Sequence, residues 1–281
     1  MKVYDCFTFY NEFELLELRL MALWDVVDCF VLVEADKKHT GEPKPYYFWE
    51  RQEDFKKFWP KIRHLPVEMT VPFKGVGDWS IENAQRDAIV YGLFDAAPDD
   101  LIMISDLDEI PAPDVVKKIR EGQLADALEK TPITLEQTFH YYYFDWINPA
   151  PWHGTVLTKK KNLTTPQKLR NLKDKFPSLS YGGWHFSYMG GVDRVINKMT
   201  SIVDGNAIVV HSGGKLIDRK HIEEALMNGT DIYNRQGTVE SQFYPFDAKK
   251  FRLPHLDEFL KKYPHFLREP EKYFGGSLGE K

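Results

Sequence analysis

Apolar and polar positions change their spacing in a regular order over the first hundred residues. An apolar run over residues 3–9 gives way to a stretch over 12–23 in which Leu15, Leu16, Leu18, Leu20 and Leu23 recur at helical spacing. A second apolar run follows over 29–33. This order predicts strand, helix, strand, the βαβ unit of a parallel sheet. Glu12, Glu14, Glu17 and Arg19 are assigned to the polar face of the helix, and Asn11 to its N-cap. A Pro-rich connection (Gly41, Pro43, Pro45) precedes a short charged helix near 50–58 and a modest strand over 61–65. The pattern then predicts a longer helix over 81–94 and a buried strand over 101–104, too short for a helix.

Past residue 120 the apolar positions become aromatic. Strands are predicted over 133–146, 155–158 and 184–189, with helices near 192–202 and 218–227. Neither half is set off by a linker, so residues 1–270 are read as one domain. A nucleotide-type half covers 1–120, an aromatic acceptor-side half covers 121–270, and 271–281 form a flexible tail.

Composition narrows the function. The 281 residues are 43% hydrophobic and 28% charged, with 37 Lys and Arg against 42 Asp and Glu for a net charge of −5. No global positive field exists to attract nucleic acid. No apolar run reaches the ~20 residues of a membrane span, and no apolar signal region precedes the first strand, so a cytoplasmic location is expected. Cys6 and Cys29 are too few for a disulfide framework and are read as core thiols.

In a parallel sheet, ligands bind beyond the carboxyl ends of the strands. The most pointed signal there is Asp106-Leu107-Asp108-Glu109, an apolar strand delivering three carboxylates into one turn. Such a cluster is unfavourable unless a cation or basic group neutralises it; the hard ions Mg²⁺ and Mn²⁺ favour carboxylate oxygens and share their shell with substrate phosphates, and the plainer alternative is a solvated acidic turn capping the next helix. Arg86 on the preceding helix is a candidate phosphate contact, or a plain ion pair with Glu82 at i, i+4. Glu34, at the end of the second strand, is a candidate acceptor for ribose hydroxyls.

The segment Ile104-Ser105-Asp106-Leu107-Asp108-Glu109-Ile110-Pro111 resembles the Asp-x-Asp element of nucleotide-sugar glycosyltransferases of the GT-A fold. More closely, the chain resembles glycosyltransferase family 17, through Asp5-Cys6-Phe7 with Asn11-Glu12, Thr40 to Pro45, Glu82 with Arg86, Gly183-Trp184-His185-Phe186-Ser187 and Gly229-Thr230-Asp231. The resemblance implies a GT-A-like α/β fold, a mostly parallel Rossmann-type sheet flanked by helices. It implies inverting transfer of a sugar, N-acetylglucosamine from UDP-GlcNAc in known members, to a glycan hydroxyl with Mn²⁺ or Mg²⁺ as cofactor. Asp106, Asp108 and a late histidine, His185, would then hold the metal. Asn11, Glu12, Glu34, Arg86 and Asp106 would contact the donor, and Trp152 and Trp184 the acceptor, because aromatic faces suit the C–H face of a pyranose. Inversion needs one general base and no covalent nucleophile, for which Glu136 and Asp145, flanking an aromatic strand, are candidates. Two other classes are weighed: a non-catalytic carbohydrate-binding protein or inactive relic, and a haloacid-dehalogenase-type phosphohydrolase. The latter normally carries its Asp-x-Asp after the first strand, whereas here the motif falls beyond residue 100.

Overall fold

A computed structural model describes residues 1–235 and 242–275. Among the described residues nine strands form one sheet. Strands β1 (Val3–Phe9), β2 (Cys29–Ala35), β3 (Ile62–Val67) and β4 (Leu101–Asp106) are mutually parallel in the order β3-β2-β1-β4. β1, β2 and β4 are largely apolar because both their faces are covered, whereas the edge strand β3 carries Arg63 and His64 and is only half-buried. Val3, Phe7 and Phe9 enter the largest core cluster, whereas Tyr4 and Cys6 enter another on the opposite face, as the two-residue period of a strand requires. Both cysteines are free; Cys6 is buried and Cys29 partly so.

Beyond β4 the sheet changes character. The three-residue β5 (Glu109–Pro111) is followed by β6 (Ile133–Tyr141), β7 (Trp146–Lys159), β8 (Ser178–Ser187) and a short β9 (Tyr244–Pro245). The order continues β4-β7-β6-β8-β5, with β7 antiparallel to both β4 and β6, β6 parallel to β8, and β5 antiparallel to β8. The expectation of a mostly parallel sheet therefore holds for the first half only, and the fold is a mixed α/β sheet flanked by helices. The cause is local. Strands β6 and β7 are joined by four residues, a connection that permits an antiparallel pair and is too short for a parallel crossover.

Helix α1 (Phe13–Leu23) lies where the pattern put it, with two corrections. Asn11 does not cap it; Glu12 occupies the N-cap without a side-chain cap bond and instead folds back to accept from the Asn11 N–H at 3.0 Å. Arg19 is not on the polar face but fully buried. The short α2 (Tyr47–Arg51) continues as a 3₁₀ turn over Gln52–Lys61. The helix expected over 81–94 divides into α3 (Ser80–Asp87) and a 3₁₀ turn over Ala88–Leu93. That turn lies close on the sheet: a Cβ added at Gly92 would stand 2.3 Å from Val31 Cγ1.

Helices α4 (Pro113–Arg120), α5 (Ala125–Lys130) and α6 (Pro166–Asn171) follow, then α7 (Val192–Ser201), α8 (Val203–His211) and α9 (Arg219–Asn228). Near the end, α10 (Leu256–Lys262) packs Leu256, Phe259 and Leu260 into the large cluster. The tail expected from 271 falls partly within a last helix, α11 (Pro270–Phe274), and residues 276–281 lie outside the described ones. Among the described residues no helix is long and apolar enough to cross a membrane.

Candidate active site

A cavity of about 410 Å³ opens at the carboxyl ends of β1 and β4, and Asp106, Asp108, Arg86, Glu12, Trp152 and His185 are among its lining. Register brings the parts together. Thr8 at the end of β1 pairs with Asp106, and Glu109 in β5 lies opposite His185 in β8. The approach of β8 requires glycine, since a Cβ on Gly183, at φ +142°, would stand 2.2 Å from the Ile110 carbonyl oxygen.

The turn between β4 and β5 is tied down from inside. Asp5 and Arg19 are both fully buried. The Arg19 guanidinium donates to both Asp5 oxygens at 2.8 and 2.6 Å, to Ser105 Oγ at 2.6 Å, and to the carbonyls of Asp106, Leu107 and Glu109 at 3.0, 3.0 and 2.8 Å. The planar fork of arginine serves all these acceptors, which a lysine could not. The clue in the sequence is the position of Arg19 between Leu16 and Leu23, at the spacing of the apolar stripe.

The carboxylates of the turn are neutralised by side chains from other elements. Asp106 accepts from Arg86 of α3 at 2.8 Å on one oxygen and from Arg170 of α6 at 3.0 Å on the other. Arg86 also bonds Glu82 at 2.9 Å, the i, i+4 ion pair that is one of the two roles weighed for it. Arg170 bonds Glu109 at 2.8 Å, and Glu109 receives the Trp152 indole N–H at 2.7 Å and the Asp106 backbone N–H at 3.0 Å. Beyond Glu82, His39 Nδ1 stands 3.1 Å from the second Glu82 oxygen. Positive and negative groups thus alternate from His39 across the cavity wall to Glu109.

The charges follow this pairing. Burial pushes the Glu82 carboxyl up, but His39 and Arg86 outweigh it and hold its pKa down at about 2. Burial likewise opposes ionisation of Asp106, and the guanidiniums of Arg86 and Arg170 overcome it, keeping that carboxyl well below the usual range. Asp108 is held down in the same way, by Lys198 and His185 against burial. Burial lowers His39, yet Glu82 and Gln85 raise it above the ordinary histidine value.

Asp108 differs from Asp106. One oxygen accepts from Lys198 of α7 at 2.6 Å, while the other lies 3.6 Å from His185 Nε2, beyond hydrogen-bond length. His185 is fixed by stacking on Phe139, with ring centroids 4.9 Å apart, and by Trp152 at 4.5 Å. Its Nδ1 is buried without a hydrogen-bond partner. A carboxylate oxygen and an imidazole nitrogen facing each other across that gap fit a divalent ion that draws the rest of its shell from water and substrate phosphate. Among the described residues no group of three or more His, Cys, Asp or Glu is arranged to hold a metal ion. Asp106, expected to hold the metal together with Asp108 and His185, has both oxygens engaged by arginines.

Other expected residues are placed elsewhere. Glu34 is fully buried and accepts from the Phe48 N–H at 3.1 and 3.2 Å, with His64 at 3.0 Å and Lys44 at 3.5 Å. It is closed off from ribose because the segment 44–48 folds over the end of β2. Glu136 accepts from Ser180 at 3.3 Å, and Asp145 accepts the Arg268 N–H at 2.9 Å; neither lines the cavity. Trp184 packs toward Phe251 and the large core instead of the cavity. Asn11 lines a second, adjoining cavity. Arg170, Lys198, Lys173 and His39, which line the first, carry no motif that sequence reading isolates.

The model of glycosyltransferase family 17 matches residues 1–244. The beta-1,4-mannosyl-glycoprotein 4-beta-N-acetylglucosaminyltransferase of Rattus norvegicus is 24% identical over 314 aligned positions, covering 98% of this chain and 57% of the relative. The Homo sapiens protein of the same name is 30% identical over 229 positions, covering 70% of this chain and 42% of the relative. The chain thus spans about half the length of the curated relatives it matches. A family match extending from the first strand to the start of the ninth, with the acidic turn and His185 inside it, places this chain in glycosyltransferase family 17.

Proposed function

We propose that this protein is an inverting glycosyltransferase of GT-A type that moves N-acetylglucosamine from UDP-GlcNAc to a hydroxyl of a glycan. The observation that carries the reading is the first cavity, where a family 17 chain sets seven lysines and arginines against five carboxylates at the carboxyl ends of parallel strands. That surplus of positive charge complements a nucleoside diphosphate. The relatives are named for N-acetylglucosaminyl transfer to β-1,4-mannosyl glycoprotein, which supports the donor sugar and makes a β-mannosyl glycan the first acceptor class to try.

Asp108 and His185 are the residues that would hold a Mn²⁺ or Mg²⁺, whose charge would offset that of the departing diphosphate. The chain's own cations act on the same charge. Arg86 and Arg170 are locked in place by Asp106, so their positive charge acts on the phosphates without reorganisation as the sugar bond breaks. Asp106 is on this reading the residue that aims the two arginines, not a metal ligand. Lys198 and Lys173 complete the cationic wall.

The test is incubation of purified protein with UDP-GlcNAc and an N-glycosylated protein bearing β-mannosyl cores, with Mn²⁺ or with a chelator. Release of UDP coupled to a mass gain of one N-acetylhexosamine on the glycan supports the reading. Glycan binding without any turnover of nucleotide sugar would replace it with the carbohydrate-binding alternative.

A further inference from the structure

A second cavity of about 400 Å³ adjoins the first, and five residues line both: Tyr10, Glu12, Asp108, Tyr188 and Lys198. The two differ in charge. Three acids, Glu12, Asp108 and Asp193, balance Arg51, Arg194 and Lys198 in the second. Tyr47, Phe13 and Phe266 add aromatic wall. A charge-balanced, aromatic-sided space suits an uncharged sugar as the first suits a diphosphate.

Transfer must occur where donor and acceptor meet, which is the neck lined by these five residues. A group there must take the acceptor proton, and the shared residues leave one candidate. Asp108 is engaged by Lys198 and faces His185. Lys198 donates to Asp108 at 2.6 Å, and an ammonium has no lone pair with which to take a proton. Burial raises both tyrosines, which stay neutral. Glu12 is partly exposed, and one of its oxygens accepts the Asn11 N–H at 3.0 Å. Among the described residues its other oxygen has neither a hydrogen bond nor an ion pair. The bond to Asn11 fixes the rotamer and leaves the second oxygen to the neck.

We infer that the acceptor sugar sits in the second cavity and that Glu12 is the general base of transfer. This inference rests on the transferase reading above. In the step, the acceptor O–H bond breaks with its proton passing to the free Glu12 oxygen, and the acceptor oxygen bonds the anomeric carbon of the donor sugar. The bond from that carbon to the β-phosphate oxygen breaks, its electron pair leaving on the nucleoside diphosphate.

Glu12→Gln keeps the shape and the bond to Asn11 while removing the base. With UDP-GlcNAc and the β-mannosyl glycoprotein acceptor, its kcat should fall about 10²–10⁴-fold, with KM for both substrates, the Kd for UDP and the Tm unchanged. Glu12→Asp, which retains a carboxylate, should recover part of the rate. Tyr47→Ala, in the wall of the second cavity alone, should raise the acceptor KM several-fold and leave the donor KM as it was. A Glu12→Gln enzyme within threefold of the wild-type rate would overturn the inference and leave the transferase reading standing. So would a loss explained by weaker UDP binding. A wild-type protein that turns over no nucleotide sugar would bring down that reading and this inference together.

Discussion

The parallel half of the sheet supplies the acids of the turn after β4, and the antiparallel half supplies most of the cations that neutralise them. The acids of the turn leave β4 at the end of the parallel half, among Leu, Ile, Val and Met side chains that cannot neutralise them. Of the cations that do, Arg86 alone comes from that half. Arg170, Lys198 and the imidazole of His185 come from elements later in the chain, around a core in which Phe139, Tyr141, Tyr142, Trp146, Tyr188 and Phe243 predominate. Neither half is electrically complete, so the acidic turn can hold its conformation at low cost only once the second half has closed on it.

The sharpest way to break this division is at Asp108, where the halves meet. Asp108→Asn should lower transfer by at least about 10²-fold by weakening the stabilisation of the leaving group. It should change Tm little, because Lys198 is partly exposed and can turn to water. Transfer assays and thermal melts of the same preparation check both. Arg170→Met removes the antiparallel half's answer to two acids at once and leaves Asp106 and Glu109 short of a partner. A loss of about 3–5 kcal/mol in unfolding free energy, read by urea titration, is expected together with loss of transfer.

A subtler test replaces the scaffold under the turn. Asp5→Leu combined with Arg19→Met exchanges a buried ion pair for apolar packing, which is often close to neutral for stability. Here, however, the carbonyls of Asp106, Leu107 and Glu109 and the Ser105 hydroxyl lose their donor, so kcat should fall about tenfold and Tm should fall too, each buried acceptor left unpaired costing about 1–3 kcal/mol. Wild-type activity in this double variant would show that the turn is held by its outer cations alone.

Acidity sharpens the comparison further. His39 gains a partner on folding and its pKa rises above 6.5, so the stability it contributes is fully present below pH 6.5 and is lost as pH rises through the raised value. The Tm difference between wild type and His39→Gln should therefore be largest in mild acid and shrink toward alkaline pH. Glu82 runs the other way. Its depressed pKa contributes stability above about pH 4.5, which disappears as pH falls toward 2. The smallest effect is expected at Trp184. Facing the core and not the cavity, Trp184→Phe should leave the acceptor KM within about twofold of wild type, since a large aromatic still fills the space.

How much of this was legible beforehand differs between the halves. In the parallel half the strands and α1 are readable because spacing alone encodes them, and the Asp106 to Glu109 turn because a buried strand ended in three acids. The antiparallel half resisted reading. Aromatic runs such as 133–146 do not reveal where β6 ends and β7 begins, and β5 has only three residues. Single charges mislead in both halves. Glu34 has the position of a ribose ligand but is sealed by the Phe48 N–H and Lys44, and Arg19 reads as surface while lying at the centre.

Periodicity and the acidic turn by themselves determined a βαβ start and an expected site beyond the carboxyl ends of the strands, while the likeness to family 17 rests on an ordered set of short segments from Asp5 to Asp231. These are local properties, carried by neighbours in the chain. The partners of each acid, the approach of His185 to Asp108 and the second cavity beside the first were decided only by tertiary structure. They join residues up to 90 positions apart, as Arg170 to Asp106 and Lys198 to Asp108 show, and the spacing of residues along a chain does not record which distant charges will meet when it closes.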